Sequence, residues 1–383
     1  MRNRSLGPFL LMAFLSAASL GAQEIPLPSG SIKINFPDGS PLLIAGTVTD
    51  QSRATARGAA MVIDLDLLLQ LRNVSDRQIH GVTLRVVAQE VTVGGYGSVA
   101  YPSLHVGPGE TFPARVAMQL VRPTQAVSAS LVEVNLDGVL FQDLSFYGPD
   151  RLNSRRAMTA REMETQRDRD YFKRVLAQAG PAGLKTAMLE SLTRQAERPR
   201  LDVRVIRGGP AITSAANPAP ERTAEFAFLK FPDSPVAPVD GYAQIAGNEA
   251  RAPRINVRND SKRVVKYVEI GWLVRDQNGQ QYMAAAIPTA DPGLLMRPGG
   301  TAQVLQDAAL NFSRDGRPVN VRSMTGFVSQ VQFADGKMWV PDRASLEKEY
   351  LLGLLPPSNE EQRLSDLYRK KGIGALVEEL KKY

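Results

Sequence analysis

The chain contains no cysteine, although it is 383 residues long. This absence excludes disulfide frameworks, thiolate nucleophiles, cysteine-ligated metal sites and lipid attachment to cysteine. An exported protein without disulfides has to be stable through its core alone. For a chain of this size, that is more typical of a bacterial periplasm or cell exterior than of a eukaryotic secreted protein.

Histidine is almost as scarce, with two residues, His80 and His105. Histidine is the commonest general base in enzymes, and we interpret both as surface or loop residues without a catalytic or metal-binding role. No G-x-x-x-x-G-K-[ST] phosphate-binding motif is present, and neither G-x-S-x-G nor S-x-x-K occurs in a convincing setting. We therefore predict a protein that is not an enzyme and that carries no cofactor and no metal.

Long apolar runs are confined to the N-terminus. Two arginines precede an apolar stretch at residues 6–20, and small residues follow at Gly21 and Ala22. This pattern predicts a secretory signal peptide over residues 1–22, cleaved after Ala22 or after Gly21. A retained membrane anchor is the alternative. We expect a periplasmic or secreted protein that does not contact the membrane after cleavage.

The charge is basic but not clustered. The net charge is +7 and the isoelectric point is about 9.6. Basic patches, rather than totals, indicate nucleic-acid binding, and here the arginines are mixed with Asp and Glu. We therefore predict no nucleic-acid partner. The 43% hydrophobic and 22% charged contents are those of a folded globular protein.

The sequence contains an internal repeat with a period near two hundred residues. Its landmarks recur in one order with near-constant offsets, which indicates a duplicated domain rather than a solenoid. The matching segments are "NFPDGSP" (35–41) with "KFPDSP" (230–235), "RNVSDR" (72–77) with "RNDSKR" (258–263), "GPGET" (107–111) with "RPGGT" (297–301), and "VNLDGVLFQD" (134–143) with "VQFADGKMWVPD" (331–342).

Each copy has the pattern of an antiparallel β-domain. In the second copy, alternating segments flank the turn Asn259-Asp260-Ser261, and Asn278-Gly279 is the strongest hairpin signal. Short strands with a turn every eight to twelve residues predict a β-sandwich over 31–150 and another over 226–345. The Asn-x-Ser sequences at Asn73, Asn259 and Asn311 are interpreted as turns, or as glycan acceptors if the source is eukaryotic.

The pattern of a strand, an Asn-x-Ser turn, an aromatic-bearing strand, an Asp-x-x-Gly hairpin and a late Asp-Gly-x-x-Trp hairpin resembles the immunoglobulin-like or fibronectin-like domains of exported bacterial proteins. The resemblance covers about residues 31–150 and 226–345 and concerns architecture. It implies a mainly β fold of two tandem Ig-like antiparallel β-sandwiches, each followed by α-helical segments. The sequence departs from the immunoglobulin pattern because it has no cysteine pair, and Val86 stands in the first copy where the second has Trp272.

Each copy is followed by a segment rich in helix formers, at 151–200 and 346–383, with a linker predicted over 201–225. The first segment is broken at Gly180-Pro181, and its charged part, 159–175, is interpreted as a solvated helix, with a partner-binding helix as the alternative. Ser358 with Glu361 forms a capping-box pattern. We expect the amphipathic C-terminal helix to pack on its own sandwich. If it does not, its apolar stripe marks a partner or membrane surface.

The residues proposed to contact a ligand or partner are aromatic or apolar side chains. Trp339 is matched to Phe141 as a core aromatic, and an aromatic platform for sugar is the sharper alternative. Asp64 and Asp66 share a strand face that is either solvated or able to hold a hard cation. The proposed contacts are Tyr96, Tyr101, Trp272, Trp339, Leu367, Tyr368 and Leu376.

Three functions remain open at this stage. The first is protein–protein binding, in a scaffolding or envelope-assembly role, with an envelope or extracellular protein partner. The second is a carbohydrate- or small-ligand-binding module that uses the loops at 93–101 or 284–296. The third is a hydrolase that depends on carboxylates such as Asp64 and Asp66.

Overall fold

A computed structural model describes residues 24–27, 29–49, 51–124, 130–207, 221–288, 293–305 and 308–382. The predicted signal peptide and residues 208–220 of the predicted linker lie outside these ranges. The described part is mainly β, as the sequence predicted, with fewer residues in helices than in strands. Within it, no helix is both long enough and apolar enough to cross a membrane.

Ten strands belong to the first copy of the repeat and twelve follow helix α1. The first ten are β1 (Glu24–Pro26), β2 (Ile32–Asn35), β3 (Leu42–Val48), β4 (Arg53–Arg57), β5 (Ala60–Asn73), β6 (Ile79–Val87), β7 (Tyr96–Val106), β8 (Thr111–Pro123), β9 (Val132–Phe141) and β10 (Phe146–Tyr147). The others are β11 (Asp202–Arg207), β12 (Arg222–Glu225), β13 (Ala227–Phe228), β14 (Val236–Ala246), β15 (Glu249–Asn259), β16 (Val265–Asp276), β17 (Gln281–Pro288), β18 (Thr301–Leu305), β19 (Ala308–Arg314), β20 (Arg317–Pro318), β21 (Val321–Phe333) and β22 (Met338–Trp339). The helices are α1 (Ser154–Glu197), α2 (Arg343–Lys348) and α3 (Asn359–Leu380), with 3-10 turns at Ser29–Ser31 and Leu351–Gly353.

These strands form four sheets, two from each copy. Sheet A has the order β1-β4-β5-β3 with β8 also on β5, and sheet B has the order β10-β9-β6-β7 with β2 on β9. Sheet C has the order β11-β19-β15-β14-β12 with β18 and β20 attached, and sheet D has the order β13-β21-β16-β17 with β22 on β21. Each copy contains one parallel pair at the same place, β2 with β9 and β13 with β21. The duplication read from sequence landmarks is therefore also visible in strand pairing.

The chain folds as two compact units that do not coincide with the two copies. The first unit comprises the described residues up to Asp76 together with Thr83–Val99 and Pro108–Leu136. The second comprises Arg77–Val82, Ala100–Gly107 and the described residues from Asp137 onward. The boundary therefore passes through strands β6, β7 and β9 of the first copy.

Segment 201–225 is not only a linker. Strand β11 pairs with β19 over six residues, and β12 pairs with β14. Both strands are thus part of sheet C, and the second copy begins before the predicted boundary at 226. The predicted linker is rich in Gly, Pro and Ala over most of its length. For this reason the short alternating segment "DVRVIR" of β11 was not predicted as a strand.

Sheets C and D share one hydrophobic core in the second unit. Alternate residues of β16, Val268, Ile270, Trp272 and Val274, are buried in it, as the period-two pattern predicts. Lys266, which the alternation of the sequence would place on the same face, is exposed at the start of the strand. Sheet C contributes side chains from β14, β15 and β19 to the same core.

The Asn-x-Ser turn that recurs in the two copies, at Asn73 and at Asn259, has the same structure in both. The Oδ1 of Asn259 accepts hydrogen bonds from the backbone N–H and the hydroxyl of Ser261, at 3.0 and 2.7 Å. Asn73 and Ser75 make the same two bonds at the same distances. Both asparagines are fully buried, so they serve as turn-forming residues and not as glycan acceptors. Asn311 instead lies within strand β19, where Asn248 donates to its Oδ1, and the turn predicted there is wrong.

The last matching segment of the repeat, 134–143 with 331–342, aligns in a different register from the one that the sequence indicated. Arg77 lies over the ring of Phe141 and bonds Asp143, and Arg263 lies over Phe333 and bonds Asp335. Phe141 therefore corresponds to Phe333. The match of Trp339 to Phe141 is wrong, because β10 and β22 are the equivalent strands and the true counterpart of Trp339 is Tyr147.

The two helical segments are also related, and they pack on each other. Both break at a glycine with positive φ, Gly180 at 64° and Gly372 at 76°, a conformation that glycine adopts without steric penalty. The helix–helix contact buries three pairs of residues separated by 192 positions: Phe172 and Leu364, Leu184 and Leu376, Met188 and Leu380. The expectation that the C-terminal helix packs on its own sandwich is wrong, because it packs on α1. The predicted cap is confirmed, since the Ser358 hydroxyl accepts from the Glu361 N–H at 3.1 Å.

Replacing Asn259 by alanine tests the buried turn. The side chain also donates to the carbonyls of Arg263 and Met296, at 2.7 and 3.0 Å, so its removal leaves several buried polar groups unpaired. We expect Asn259→Ala to lower the free energy of unfolding by about 3 kcal/mol in urea denaturation. The matched control, Asn320→Ala at an exposed position, should cost less than about 0.5 kcal/mol. Equal, small losses for both variants would contradict this account of the turn.

Candidate functional site: a carboxylate-lined cavity

Helix α1 covers the outer face of sheet D, the face that points away from the shared core. The guanidinium of Arg156 lies 3.6 Å from the centre of the Tyr267 ring, and Glu164 lies near Glu269 of the same strand. A second apolar cluster on this face includes Leu273, Phe327, Leu346 and Leu351. Sheet D is therefore covered on both faces, which explains why β16 is buried nearly throughout rather than at alternate residues.

The sequence predicted that the charged stretch of α1 is a solvated helix face. In the structure, charged side chains of this stretch are instead buried. Asp168 accepts hydrogen bonds from Arg167 and from Arg343, both at 3.0 Å, and Arg169 donates to Glu360 at 3.0 Å. Burial raises the pKa of Asp168, but the charge and hydrogen bond of Arg167 outweigh it and hold the pKa below its usual value. These ion pairs connect α1 with α2 and α3, which makes the charges structural.

A cavity of about 330 Å³ remains between α1, sheet D and the segment from Pro341 to Glu361. Its volume is within the range of small-molecule sites. One wall is apolar, with side chains that include Met283, Phe327 and Leu346. The polar part of the lining contains four carboxylates, those of Glu164, Asp168, Glu269 and Glu361, and three guanidinium groups, those of Arg161, Arg167 and Arg194.

A β-bulge places two consecutive residues of β21 in this cavity. Glu269 pairs with Gln330 and Ile270 pairs with Val328, so that Ser329 is the extra residue. Consecutive residues of a regular strand point to opposite faces, and a bulge changes that alternation. Both Ser329 and Gln330 consequently bond the Glu269 carboxylate, at 3.1 and 2.7 Å, and Tyr267 donates to it at 2.8 Å.

Two carboxylates in the cavity lack a cationic partner. Asp168 is paired with Arg167 and Glu361 with Arg194, whereas no described Lys, Arg or His lies within 4 Å of the carboxylate of Glu164 or Glu269. Burial raises the pKa of Glu164. Arg167 and Arg161 oppose this rise, and Asp168 and Glu269 add to it. Glu164 is also without a hydrogen-bond donor among the described residues.

His80 is buried and His105 is partly buried within strand β7, which corrects the prediction of surface or loop positions. The Nδ1 of His80 donates to Glu162 at 2.8 Å, and Arg169 donates to the Nε2 of His105 at 3.0 Å. Burial and then the nearby Arg169 charge lower the pKa of His105 to about 4. A neutral His105 accepts the bond from Arg169, so these residues belong to the packing of α1 rather than to a solvent-accessible site.

The residues proposed from the sequence as ligand contacts do not come together in one site. Trp272 is 2% exposed and packs against Phe226 in the core. Trp339 is partly buried and donates to Asp233 at 2.9 Å. Leu376 is fully buried in the helix contact. Trp272 and Leu376 therefore offer no surface to a ligand.

The remaining proposed contacts differ in their surroundings. Leu367 and Tyr368 are partly buried against the α1–α3 contact. Tyr101 is partly buried, and burial raises its pKa to about 12. Tyr96 is exposed, with the Arg85 guanidinium 5.9 Å from its ring centre. Tyr96 is thus the proposed aromatic contact that is most open to solvent.

The other sequence-based candidates also have partners or lie elsewhere. Arg115 donates to both oxygens of Asp66, and Gln119 donates to Asp64 at 2.8 Å. In the proposed loop 284–296, residues up to Pro288 belong to strand β17, and residues 289–292 lie outside the described ranges. The described residues contain no group of three or more His, Asp or Glu that could hold a metal ion.

Sequence reasoning did not find the cavity residues Glu164, Glu269 and Gln330. Each stands in a pattern that has an ordinary explanation, a charged helix or an alternating strand. The one signal available was the polar pair Ser329-Gln330 inside an otherwise apolar strand, "FVSQVQF". Two adjacent polar residues break the period of two and are compatible with a bulge.

Comparison with models of known protein families found no match, and a sequence comparison with curated proteins found none.

The unpaired carboxylate of Glu164 should cost the protein stability at neutral pH. A carboxyl group whose pKa is raised on folding binds its proton more tightly in the folded state than in the unfolded state. The group therefore lowers the free energy of unfolding as pH rises through the raised pKa, and it has no such effect below the ordinary carboxyl pKa. We expect Glu164→Gln to raise Tm at pH 8 by about 2–4 °C, the shift that about 1 kcal/mol produces in a domain of 150–250 residues. The gain should vanish near pH 4.

The matched control for this measurement is Glu190→Gln, an exposed position on the same helix. It should change Tm by less than 1 °C at both pH values, following the small effect of surface substitutions, roughly 0.5 kcal/mol or less. A destabilised Glu164→Gln at pH 8 would show that the carboxylate is satisfied in the folded protein.

Proposed function

We propose that the chain is an exported, non-enzymatic protein of two Ig-like β-sandwiches that binds another envelope or extracellular protein in a scaffolding or assembly role. The observation that carries this proposal is the free edge of sheet A. Ig-like domains characteristically bind partners through loops and edges, and an edge strand presents unpaired backbone groups to an incoming chain.

Strand β3 forms this edge. It pairs with β5 on one side, and the described residues contain no strand on its other side. Its sequence, LLIAGTV, has no charged residue. Leu43 and Val48 are 58% and 48% exposed, and Ile44 is also exposed. A long, apolar, uncharged edge is the kind that self-associates unless a partner covers it.

The equivalent strand of the second copy, β14, is covered by β12 at Tyr242–Ile245, and among the described residues only its N-terminal part forms an edge. Val236 pairs with Asn259 as Leu42 pairs with Asn73, and both edges have a bulge two residues later. This register aligns Pro238 with Ile44. Strand β14 then carries Pro238 and Asp240, and proline and charge are two ways in which natural sheets block strand addition. The contrast supports a binding role for the first copy's edge.

The partner that fits such an edge is an extended protein segment that adds to sheet A as a further strand. Main-chain hydrogen bonds to β3 would give the affinity, and apolar side chains of the partner would cover Leu43, Ile44 and Val48. This mode needs no catalytic group and no cofactor.

The two other hypotheses have less support. A sugar-binding platform requires exposed aromatic rings in a groove, and Trp272 is in the core. A carboxylate-dependent hydrolase based on Asp64 and Asp66 requires free carboxylates, and both are bonded by neighbours on β8.

Site-specific photo-crosslinking tests the proposed interface. A photoreactive amino acid in place of Leu43 in the full chain, produced in its source organism, should crosslink to one segment of one partner, identified by mass spectrometry. Adding Ile44→Lys should lower the yield at least fivefold, because a charge on the edge opposes strand addition.

Two controls belong to the second copy. The photoreactive amino acid in place of Ala237 should give no product, and Val239→Lys should leave the yield at position 43 unchanged. Equal products at positions 43 and 237, or no product at position 43, would overturn the proposal.

A further inference from the structure

The cavity in the second unit contains hydrogen-bond acceptors for which the described residues supply no donor. Gln330 is 8% exposed, and its Oε1 has no donor among the described residues although its amide nitrogen is bonded to Glu269. A buried polar atom that is left without a partner destabilises the folded state. Glu164 lies in the same cavity without a donor or an ion pair.

Four carboxylates and three guanidinium groups, those of Arg161, Arg167 and Arg194, line the cavity, so the excess charge of its lining is negative and favours a cation. Of its four carboxylates, Asp168 and Glu361 are neutralised by Arg167 and Arg194. Glu269 receives only neutral donors. Arg161 is exposed and acts on Glu164 through its charge alone, with no ion pair to it. An anion would therefore meet two unneutralised carboxylates, whereas a cation would complete both.

The unmet groups also determine what kind of cation fits. The buried open group, the Oε1 of Gln330, is an acceptor, as is the carboxylate of Glu164, so a ligand that completes both has to bring N–H donors. The lining also includes an apolar wall, with Met283, Phe327 and Leu346, that suits a short hydrocarbon body. The volume of about 330 Å³ accommodates a small organic molecule.

We propose that this cavity is a binding site for a small organic ammonium ion, whose N–H groups donate to Glu164, Glu269 and the Oε1 of Gln330 while its carbon chain lies on the apolar wall. The site is separate from the proposed protein-binding edge of sheet A and does not depend on it. The same chemistry is available from a free alkylamine and from the lysine side chain of a peptide.

The site belongs to the second copy alone. By the register of the repeat, the first copy has Thr83 in place of Glu269, Asp137 in place of Ser329 and Gly138 in place of Gln330. In the first copy, the carboxylate of Asp137 already accepts a hydrogen bond from the Arg151 N–H at 2.8 Å. One ligand per chain is therefore expected.

Calorimetric titration of the full chain with pentylamine tests this site. We expect saturable binding with one molecule per chain, and no binding of pentan-1-ol or pentanoate, which keep the carbon chain and replace the ammonium. Equal binding of pentan-1-ol, or no binding of pentylamine, would overturn the proposal.

Three variants assign the binding to the cavity. Glu164→Gln should weaken pentylamine binding at least tenfold, and Gln330→Met, which removes the unmet acceptor, should weaken it at least threefold. Glu190→Gln should leave it within twofold. Thermal unfolding of each variant separates lost binding from lost folding, because Glu164→Gln is expected to be more stable than the parent. Unchanged binding in both cavity variants would show that the amine binds elsewhere.

A second titration separates the two sources of the ammonium group. Nα-acetyl-lysine methylamide should bind if the natural ligand is a lysine side chain, and binding of pentylamine without it would identify a free amine. Ile44→Lys should leave either result unchanged, so failure of the edge-strand proposal would be distinguishable from failure of this one.

Discussion

Sheet D is covered on both of its faces, and most features of the second unit follow from this constraint. Its inner face shares a core with sheet C, and its outer face lies beneath α1 and a second apolar cluster. Polar side chains on a covered sheet have no bulk water to bond, so each has to find a partner in the protein or bear the cost of having none. Tyr267 and Ser329 both donate to the carboxylate of Glu269 for this reason.

The same constraint accounts for the charged helix that lies on the sheet. Burying Asp168, Arg169 and Glu360 is acceptable only because each is paired, and breaking a buried pair leaves an uncompensated charge that costs about 3–5 kcal/mol. Such pairs have directional bonds, whereas apolar contacts alone allow small sliding movements. Together with the three apolar pairs that are 192 residues apart, they specify how α1 and α3 pack.

Local signals in the sequence predicted local structure well. The buried Asn-x-Ser turns, the break at Gly180, the Ser358 cap and the mainly β class were readable because the residues that cause each feature lie within a few positions of one another. The partners of the α1 charges are Arg343, Glu360 and Glu361, nearly two hundred residues away. A charged helix with distant partners has the same sequence pattern as a solvated one, so its burial could not be predicted.

The candidate site was hidden for a related reason. The register of the final landmark was misread because Phe141 and Trp339 are both aromatic, and only the paired contacts of Arg77 and Arg263 identify Phe333 as the counterpart. With the register corrected, the cavity residues of the second copy have no equivalents in the first. A sequence comparison of the copies that places Trp339 opposite Phe141 cannot reveal this difference.

The difference between the copies also bears on why the unsatisfied groups persist. The first copy shows that this fold can place Thr83 and Gly138 where the second has Glu269 and Gln330, so the fold itself does not require the acceptors. The raised pKa of Glu164 and the unbonded Oε1 of Gln330 both lower the stability of the folded protein. Substitution of these residues could remove that cost without changing the sheet. Strained or unsatisfied groups of this kind concentrate at functional sites, where a ligand completes them. The cost therefore supports the proposed role of the cavity, and Pro238 and Asp240 of β14 support the proposal that the two copies differ in role.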